Sequence, residues 1–135
     1  MAWLLAGIIR DHARQRGARP MITQDGRTIT WAEMDARSSR VAQGLLAAGL
    51  AEHDRVAFVD KNGPEYFEVL FGGGKANVVN VAVNWRLTPG EMAYIINDAE
   101  AKLLFVGPDF LGHLDAMEGL TATGWSGSTT RPSRT

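Results

Sequence analysis

The segment SGSTTRP at positions 126–132 has the residue types of a phosphate-binding loop. Loops rich in Ser, Thr and Gly hold phosphate because their backbone N–H groups and hydroxyls surround its oxygens. Such loops usually add a Lys that meets the phosphate charge, and this segment contains none. Two interpretations therefore remain open: an altered nucleotide-binding loop, or a loose tail that resembles one.

A second phosphate-loop candidate is the sequence GGGK at Gly72–Lys75. The pattern G-x-x-x-x-G-K-[ST] needs a Gly where this chain has Val69, and a Ser or Thr where it has Ala76. The pattern also belongs between a strand and the start of a helix, whereas these glycines come at the end of a predicted helix. We expect them to let that helix end and pack closely against a neighbour.

No catalytic or metal-binding set can be assembled from the remaining polar residues. The three histidines lie in separate segments, at His12, His53 and His113. Their spacing does not suit a metal site. Three aspartates lie at the ends of predicted elements, where capping and turn roles predominate: Asp54, Asp60 and Asp98. Asp60 follows the carboxyl end of a strand, the usual side for a ligand in an open α/β sheet. We assign no catalytic, cofactor-binding or metal-binding residue.

Composition indicates one ordinary globular domain. The chain has 135 residues, 45% hydrophobic and 21% charged, with a net charge of −1 and no Cys. This charge gives no field that would attract nucleic acid, and the lack of Cys suits the reducing cytoplasm. No apolar run approaches the ~20 residues that a membrane-spanning helix needs.

The first residues, MAWLLAGIIRDHARQRG, combine apolar and basic side chains. Basic residues precede the apolar region in a secretory signal, and here they follow it. Leu4, Leu5, Ile8 and Ile9 recur at helical spacing, which predicts an amphipathic helix packed on the core. A membrane-surface helix is the alternative, because Trp3 and the trailing arginines also suit that type.

The clearest helix is TWAEMDARSSRVAQGLLAAGL. Thr30 and Glu33 form a capping box, Glu33 and Arg37 an i,i+4 ion pair, and Gly49 a left-handed cap. The predicted buried stripe is Trp31, Met34, Ser38, Val41, Leu45 and Ala48.

Short apolar strands alternate with helices through the rest of the chain. The turn Asp25-Gly26 predicts a hairpin before the first of these helices. Strands begin near Val56, Val78 and Leu103, and each gap between them holds one helix. The second of these helices begins with Pro89 inside a capping box of Thr88 and Glu91. This alternation predicts an α/β fold with a parallel sheet covered on both faces.

The stretch from Arg19 to Pro108 resembles the amino-terminal region of the acyl-adenylate-forming (AMP-binding) enzymes, and in style the fatty-acid–CoA ligases. The pieces that carry the resemblance are TWAEMDARSSRVAQGLLAAGL, DRVAF, NGPEY, KANVVNV and VNWRLTPGEMAYIINDAEAKLLFVG, in this order. The segment NWRLTP-x-E (Asn84–Glu91) is fairly specific. The chain departs from the family at Asn77, where a Gly is common. Arg86 is a candidate for holding the loop before its helix, which simple packing would also explain.

The resemblance implies that full-length relatives use MgATP to convert a fatty acid to an acyl-adenylate and then pass the acyl group to CoA. ATP, Mg²⁺ and CoA are thus implied for such a relative, and no cofactor is assigned to this chain. The family's phosphate loop S-G-T-T-G-x-P-K-G, its acyl pocket and its small domain with a catalytic Lys are expected downstream. We therefore expect this chain to be an inactive amino-terminal fragment.

Compared with that loop, residues 126–129 follow S-G-T-T, but Thr130 replaces a Gly and Ser133 replaces the Lys. The segment also comes too soon after the last predicted strand. We interpret it as a chance resemblance, and an internally deleted loop is the alternative. Residues 1–119 are thus predicted to be part of an adenylating domain, and residues 120–135 a disordered, truncated or frame-shifted tail.

A second function from another class remains open. The chain could be a small interaction module that docks on a partner or on a membrane surface and has no catalytic activity. An open edge of its sheet would then be a site of self-association.

Overall fold

The computed structural model describes residues 4–126. Its helices are α1 Leu5–Arg16, α2 Trp31–Ala47, α3 Pro64–Ala76 and α4 Pro89–Asp98. Its strands are β1 Pro20–Gln24, β2 Arg27–Thr30, β3 Arg55–Val59, β4 Val79–Ala82, β5 Leu103–Val106 and β6 Thr123–Ser126. A 3₁₀ helix spans Pro108–Ala116. The predicted α/β class is confirmed.

The chain forms two compact units that are interleaved in sequence. The first comprises the residues up to Glu52 together with Asn62–Val78, which hold α1, the hairpin, α2 and α3. The second comprises His53–Lys61 and the residues from Val79 onward, which hold the parallel sheet and α4. The chain therefore enters the second unit at β3, returns to the first for α3, and leaves it again at β4.

The first unit begins with α1 and the predicted hairpin. Strands β1 and β2 pair antiparallel across Asp25 and Gly26, whose φ angles are 52° and 74°. Positive φ at both turn positions matches the right-handed twist of the strands. The apolar face of α1 enters a buried cluster that also receives residues from β2, α2 and α3. Its buried members are Ile9, Ile29, Met34 and Phe71.

Helix α2 begins and ends as its sequence predicts. Thr30 Oγ1 accepts a hydrogen bond from the Glu33 N–H at 3.2 Å, and the Glu33 carboxylate accepts one from the Thr30 N–H at 2.9 Å. Gly49 has a φ of 84°, and the Leu50 N–H donates to the Leu45 carbonyl. The predicted stripe is buried from Met34 to Leu45 and half-buried at Trp31. It was wrong at Ala48, which lies beyond the end of α2 and is exposed.

Close packing of α3 explains the GGGK sequence. A Cβ on Gly72 would lie 2.6 Å from Val41 Cγ1 and 2.9 Å from the Ser38 carbonyl oxygen, both on α2. A Cβ on Gly74 would lie 3.2 Å from Leu5 Cβ on α1. The prediction of close packing is confirmed. The glycines lie inside α3, however, and the helix ends three residues later at Asn77, which adopts the left-handed conformation.

The second unit is built on a four-stranded parallel sheet with the order β4-β3-β5-β6. Val56 is paired with Asn80 on one side and with Leu103 on the other. Helix α4 buries Met92 and Ile96 against sheet residues such as Leu104 and Ala57. The three predicted strands are confirmed as β3, β4 and β5.

The sequence predicted a disordered, truncated or frame-shifted tail over residues 120–135, and the described residues 120–126 of that segment contain a strand, β6. Leu120 and Ala122 pack against the core of the second unit, and β6 pairs with β5. The Asn97 side chain on α4 holds the approach to β6. Its amide donates to the Gly119 carbonyl at 3.0 Å, and its oxygen accepts from the Thr121 N–H at 3.2 Å. Local sequence does not reveal this long-range contact. Residues 127–135, including most of the phosphate-loop-like segment, lie outside the described residues.

Candidate functional site

The candidate site lies at the carboxyl edge of the parallel sheet. Ligands of open α/β sheets bind outside the carboxyl ends of the strands, because the loops that leave those ends meet there. Asp60 and Lys61 follow β3, Trp85 and Arg86 lie beyond β4, and Gly107 follows β5. The sheet therefore brings residues from three loops to one edge of the second unit.

Two cations lie close to the indole ring of Trp85. The Lys61 Nζ is 5.3 Å from the ring centroid, and the Arg86 Cζ is 4.3 Å from it. Trp85 is half-buried, whereas both cationic residues are exposed. A cation over an aromatic face is attracted by the negative π-cloud of the ring, by about 0.5–1 kcal/mol at exposed sites. This contact holds the charged groups side by side with the ring. We call Lys61, Trp85 and Arg86 the cation–tryptophan cluster.

No carboxylate neutralises this cluster in the part of the chain that the structure describes. None lies within ion-pair distance of Lys61 or Arg86. The nearest acid in sequence, Asp60, accepts a hydrogen bond from the Lys61 backbone N–H at 2.7 Å. The cluster therefore carries two exposed positive charges beside a half-buried aromatic ring.

The backbone around Arg86 is fixed by its neighbours. The Asn84 side-chain oxygen accepts a hydrogen bond from the Arg86 N–H at 3.0 Å, which closes a tight side-chain turn. Two residues later Thr88 begins the capping box of α4 with Glu91. The Thr88 backbone N–H and hydroxyl donate to the Glu91 carboxylate, and these bonds hold the pKa of Glu91 below its ordinary value of 4.5. The expected role of Arg86 in holding this loop stays a prediction.

Trp85 is supported from behind by the 3₁₀ helix that follows β5. The Trp85 and Phe110 ring centroids are 5.9 Å apart, and Phe110 meets the His113 ring edge-on at 5.5 Å. Phe110 is buried in the core of the second unit. One side of Trp85 is thus anchored in the core, and its orientation is set by packing.

Asp60 and Gly107 are in very close contact at the same edge. A Cβ built on Gly107 would lie 2.1–2.3 Å from the carboxylate atoms of Asp60, so a larger residue there would require the Asp60 side chain to move. Sequence reasoning placed Asp60 on this edge, and the structure confirms that location. It does not place Asp60 in a group of ligands. In residues 4–126, no three or more His, Cys, Asp or Glu side chains are close enough to hold a metal ion.

The other residues considered from sequence lie elsewhere and do not converge. His12 packs on Trp31 at a ring distance of 4.6 Å in the first unit, and His113 belongs to the second unit. Asp54 pairs with Lys102 at 2.9 Å, at the amino edge of the sheet. Lys75, the Lys of GGGK, is only 2% exposed and bonds to Asp35 and Ser39 of α2, so it is not available to a phosphate.

Sequence reasoning missed a buried charge in the first unit. Glu68 of α3 is 1% exposed, and its carboxylate accepts from the Arg37 guanidinium at 3.1 Å. The predicted ion pair between Glu33 and Arg37 is therefore wrong, because Glu33 caps α2 and Arg37 reaches α3. Burial raises the pKa of Glu68 above 4.5, although the hydrogen bond and charge of Arg37 oppose this effect.

Lys61 and Trp85 were also missed as candidates. A usable signal was present, since each lies directly beyond a strand of a predicted parallel sheet. What the sequence does not show is that the two loops bring an ammonium and an indole within 5.3 Å of each other.

Among residues 4–126, no helix has both the length and the apolar character required to cross a membrane. The apolar face of α1 is directed into the core of the first unit through Ile9. Leu4 and Leu5, at its start, are exposed.

Residues 9–130 match the family model of AMP-binding enzymes. The initial helix, the hairpin, the capped second helix and the parallel sheet agree with the fold predicted from the sequence. The chain belongs to the AMP-binding enzyme family.

Similar proteins include ligases that act on fatty acids. The chain is 42% identical over 99 residues to the fatty acid–[acyl-carrier-protein] ligase ScoC of Streptomyces coeruleorubidus, covering 73% of this chain and 19% of that protein. It is 32% identical over 105 residues to the long-chain-fatty-acid–CoA ligase FadD13 of Mycobacterium tuberculosis, covering 74% of this chain and 21% of that protein.

The chain is also similar in fold to solved structures of fatty-acid ligases. The inhibitor-bound N-terminal domain of FACL13 from Mycobacterium tuberculosis superposes with a TM-score of 0.86 and 26% identity, over 93% of this chain and 34% of that one. The chain thus spans about a fifth of the length of the curated relatives described above. The predicted resemblance to the amino-terminal region of fatty-acid–CoA ligases is confirmed.

Proposed function

We propose that this chain supplies the amino-terminal part of an ATP-dependent fatty-acid ligase. In the reaction, a fatty-acid carboxylate attacks ATP to give an acyl-adenylate and pyrophosphate, and an acceptor thiol then displaces AMP. The observation that carries the proposal is the family match over residues 9–130, together with fatty-acid ligases among the similar proteins. We further propose that the site of action is the cytoplasm, which suits a chain without Cys.

Within such a ligase, the cation–tryptophan cluster would contact a phosphate group of a substrate. ATP and CoA carry phosphate charge and an adenine ring. Arg and Lys form charge-assisted hydrogen bonds with phosphate oxygens. The absence of a carboxylate partner for Lys61 and Arg86 among the described residues leaves both charges for that purpose. Residues 4–126 contain no cluster of three or more His, Cys, Asp or Glu side chains that could hold a metal ion. Mg²⁺ would therefore be held by the phosphates and by groups outside residues 4–126.

The acceptor thiol has two candidate identities. Full-length relatives named as CoA ligases support CoA, and FadD13 is one of them. The 42% identity to ScoC supports the thiol of an acyl carrier protein as the second candidate. A panel of both acceptors in one assay separates them, because the thioester product is either a small molecule or an acylated protein.

We propose that the chain alone does not catalyse the reaction, because none of its described residues forms a nucleophile, acid–base or metal set. The full chain, incubated with fatty acid and MgATP, is expected to release no pyrophosphate. Its thermal unfolding midpoint is expected to stay unchanged in millimolar MgATP. A ligand that binds only the folded state would raise its stability by about 2.7 kcal/mol at a hundredfold excess over Kd.

The decisive experiment joins this chain to the remaining part of ScoC in place of the segment that it matches. Pyrophosphate release that depends on fatty acid is the expected result, with unaltered ScoC as the positive control. A hybrid that folds cooperatively but never forms acyl-adenylate would contradict the proposal. Pyrophosphate release by the chain alone would show instead that it holds a complete site.

A further inference from the structure

Strand β4 lies at one edge of the parallel sheet, and its outer side is unpaired among the described residues. The Val79 N–H donates to the Asp54 carbonyl at 2.8 Å, and the Val83 N–H donates to the Phe58 carbonyl at 2.9 Å. Odd-numbered residues of β4 therefore point toward β3. Because successive residues of a strand point their backbone groups to opposite sides, the N–H and C=O of Asn80 and Ala82 point away from the sheet.

This edge lacks the features that normally prevent strands from pairing between molecules. Natural edge strands are protected by charged side chains, Pro, bulges or a covering segment. The stretch VVNVAVN at 78–84 contains no charge and no Pro, and its pairing with β3 is regular. Val79 is 44% exposed, and Ala82 is exposed as well. Strands of the hairpin differ, since β1 begins with Pro20 and β2 carries Arg27.

We propose that β4 is a self-association surface and that its occupant is β4 of a second copy of this chain, in antiparallel orientation. A twofold axis at Val81 places Asn80 of each copy opposite Ala82 of the other. Both residues have outward-facing N–H and C=O groups, so each of these two pairs exchanges both N–H···O=C bonds, as antiparallel hydrogen-bonded pairs do.

The self-complementarity of this strand favours a second copy over a charged partner segment. Across such an axis every side chain of β4 meets an uncharged residue, so no like charges are brought together. The pair extends the sheet of one copy into that of the other and covers the β4 edge of both copies at once. Association through β4 is therefore closed at two copies and does not continue into a fibre.

The primary experiment measures association and its location on the same sample. Sedimentation of the full chain over a concentration series is expected to show monomer passing to dimer. Amide hydrogen exchange by NMR should then slow at least tenfold at Asn80 and Ala82 as the dimer forms. The Val81 amide, which faces β3 in either state, should change little.

A matched set of variants tests whether β4 is the contact. Ala82→Pro removes an outward N–H without breaking a bond to β3, and Ala82→Lys adds a charge to the edge. Both are expected to stay monomeric at concentrations where the unaltered chain is dimeric. Leu46→Lys replaces a side chain of α2 that is 58% exposed, and it is expected to dimerise normally.

Several outcomes would overturn the proposal. These are a chain that stays monomeric at all concentrations, a dimer with fast exchange at Asn80 and Ala82, and an assembly that grows beyond two copies. Dimerisation of a folded Ala82→Pro variant would also overturn it. If both Ala82 variants fail to fold, the amide exchange of the unaltered chain decides the question alone.

Discussion

The ammonium of Lys75 on α3 lies 2.5 Å from the carboxylate of Asp35 on α2. The same ammonium donates to the Asp35 carbonyl at 2.8 Å and to Ser39 Oγ at 2.7 Å. Its three donors are thus all used by one stretch of α2, and the Lys75 side chain is 2% exposed. This group joins the two helices at the point where the glycines of α3 allow their close approach.

Replacing Lys75 with Met should destabilise the chain by about 1–3 kcal/mol. Breaking a buried pair costs about 3–5 kcal/mol when a charge is left unpaired, and the loss is smaller here because Asp35 is 31% exposed to water. Urea unfolding measures the effect. Arg14→Met is the control, because Arg14 is 76% exposed in its pair with Asp11 and should change stability by less than about 0.5 kcal/mol. Equal losses of stability in the two variants would contradict the role of Lys75 as a buried link between α2 and α3.

Gly72→Ala should cost about 1–3 kcal/mol, since the added methyl group overlaps Val41 and the Ser38 carbonyl and forces α2 and α3 apart. The same change at Gly90 in α4 is the matched control. Apart from its chain neighbours and the nearby backbone of α4, no described atom lies within 4 Å of a Cβ at that position. Ala is a better helix former than Gly by about 1 kcal/mol, so Gly90→Ala should be neutral or stabilising. Thermal unfolding of both variants tests the contrast, and a stabilised Gly72→Ala variant would refute it.

The buried carboxyl of Glu68 should make stability depend on pH. Desolvation raises its pKa in the folded state, against the opposing effect of Arg37. Between the ordinary value of 4.5 and the raised value, the folded chain binds more protons than the unfolded chain. The free energy of unfolding contributed by Glu68 therefore falls as pH rises through that window.

The Glu68→Gln variant removes this titration. Its stability relative to the unaltered chain should increase as pH rises from below 4.5 toward about 7, measured by urea unfolding at each pH. Glu91→Gln should show the opposite slope, because the pKa of Glu91 is lowered and its contribution is lost as pH falls. If the stabilities of the two variants change with pH in the same direction, the pH dependence does not arise from Glu68 and Glu91 as proposed.

The cation–tryptophan cluster predicts a binding defect in a complete ligase. In the hybrid with ScoC, Arg86→Ala should raise KM for a phosphate-bearing substrate about 10–100-fold, with a smaller change in kcat. This range corresponds to the loss of one hydrogen bond to a charged group, about 1.5–3 kcal/mol. Arg40→Ala, which removes an exposed Arg of α2, is the control. Equal KM values in the two variants would argue that Arg86 only packs on Trp85.

Local signals in the sequence predicted most of the fold. Capping boxes at Thr30 and Thr88, the Asp25-Gly26 turn and the strand–helix alternation each depend on neighbours within a few residues. These features depend on short-range backbone geometry, which the residue types at those positions indicate. The strands β3, β4 and β5 followed from the same reasoning.

Features that depend on distant residues were not predicted. Strand β6 has little apolar character, and the Asn97 side chain, more than twenty residues earlier, holds its approach. The burial of Glu68 was not predicted, because an acidic residue in a helix is ordinarily exposed. The pairing of Lys61 with Trp85 required knowledge of the order of the strands, which no local pattern contains.

The strand order has a consequence for synthesis of the chain on the ribosome. β3 is made before its sheet neighbours, yet it lies between β4 and β5. Its partners are complete only when Ala82 and Val106 have been added, and at about 5–20 residues per second this takes several seconds. The strand VAFV of the nascent polypeptide has two open edges until β4 is made and one open edge until β5 is made, and it has no charged residue after Arg55. The period of greatest exposure to chaperones and to misassembly therefore falls between emergence of β3 and emergence of β5.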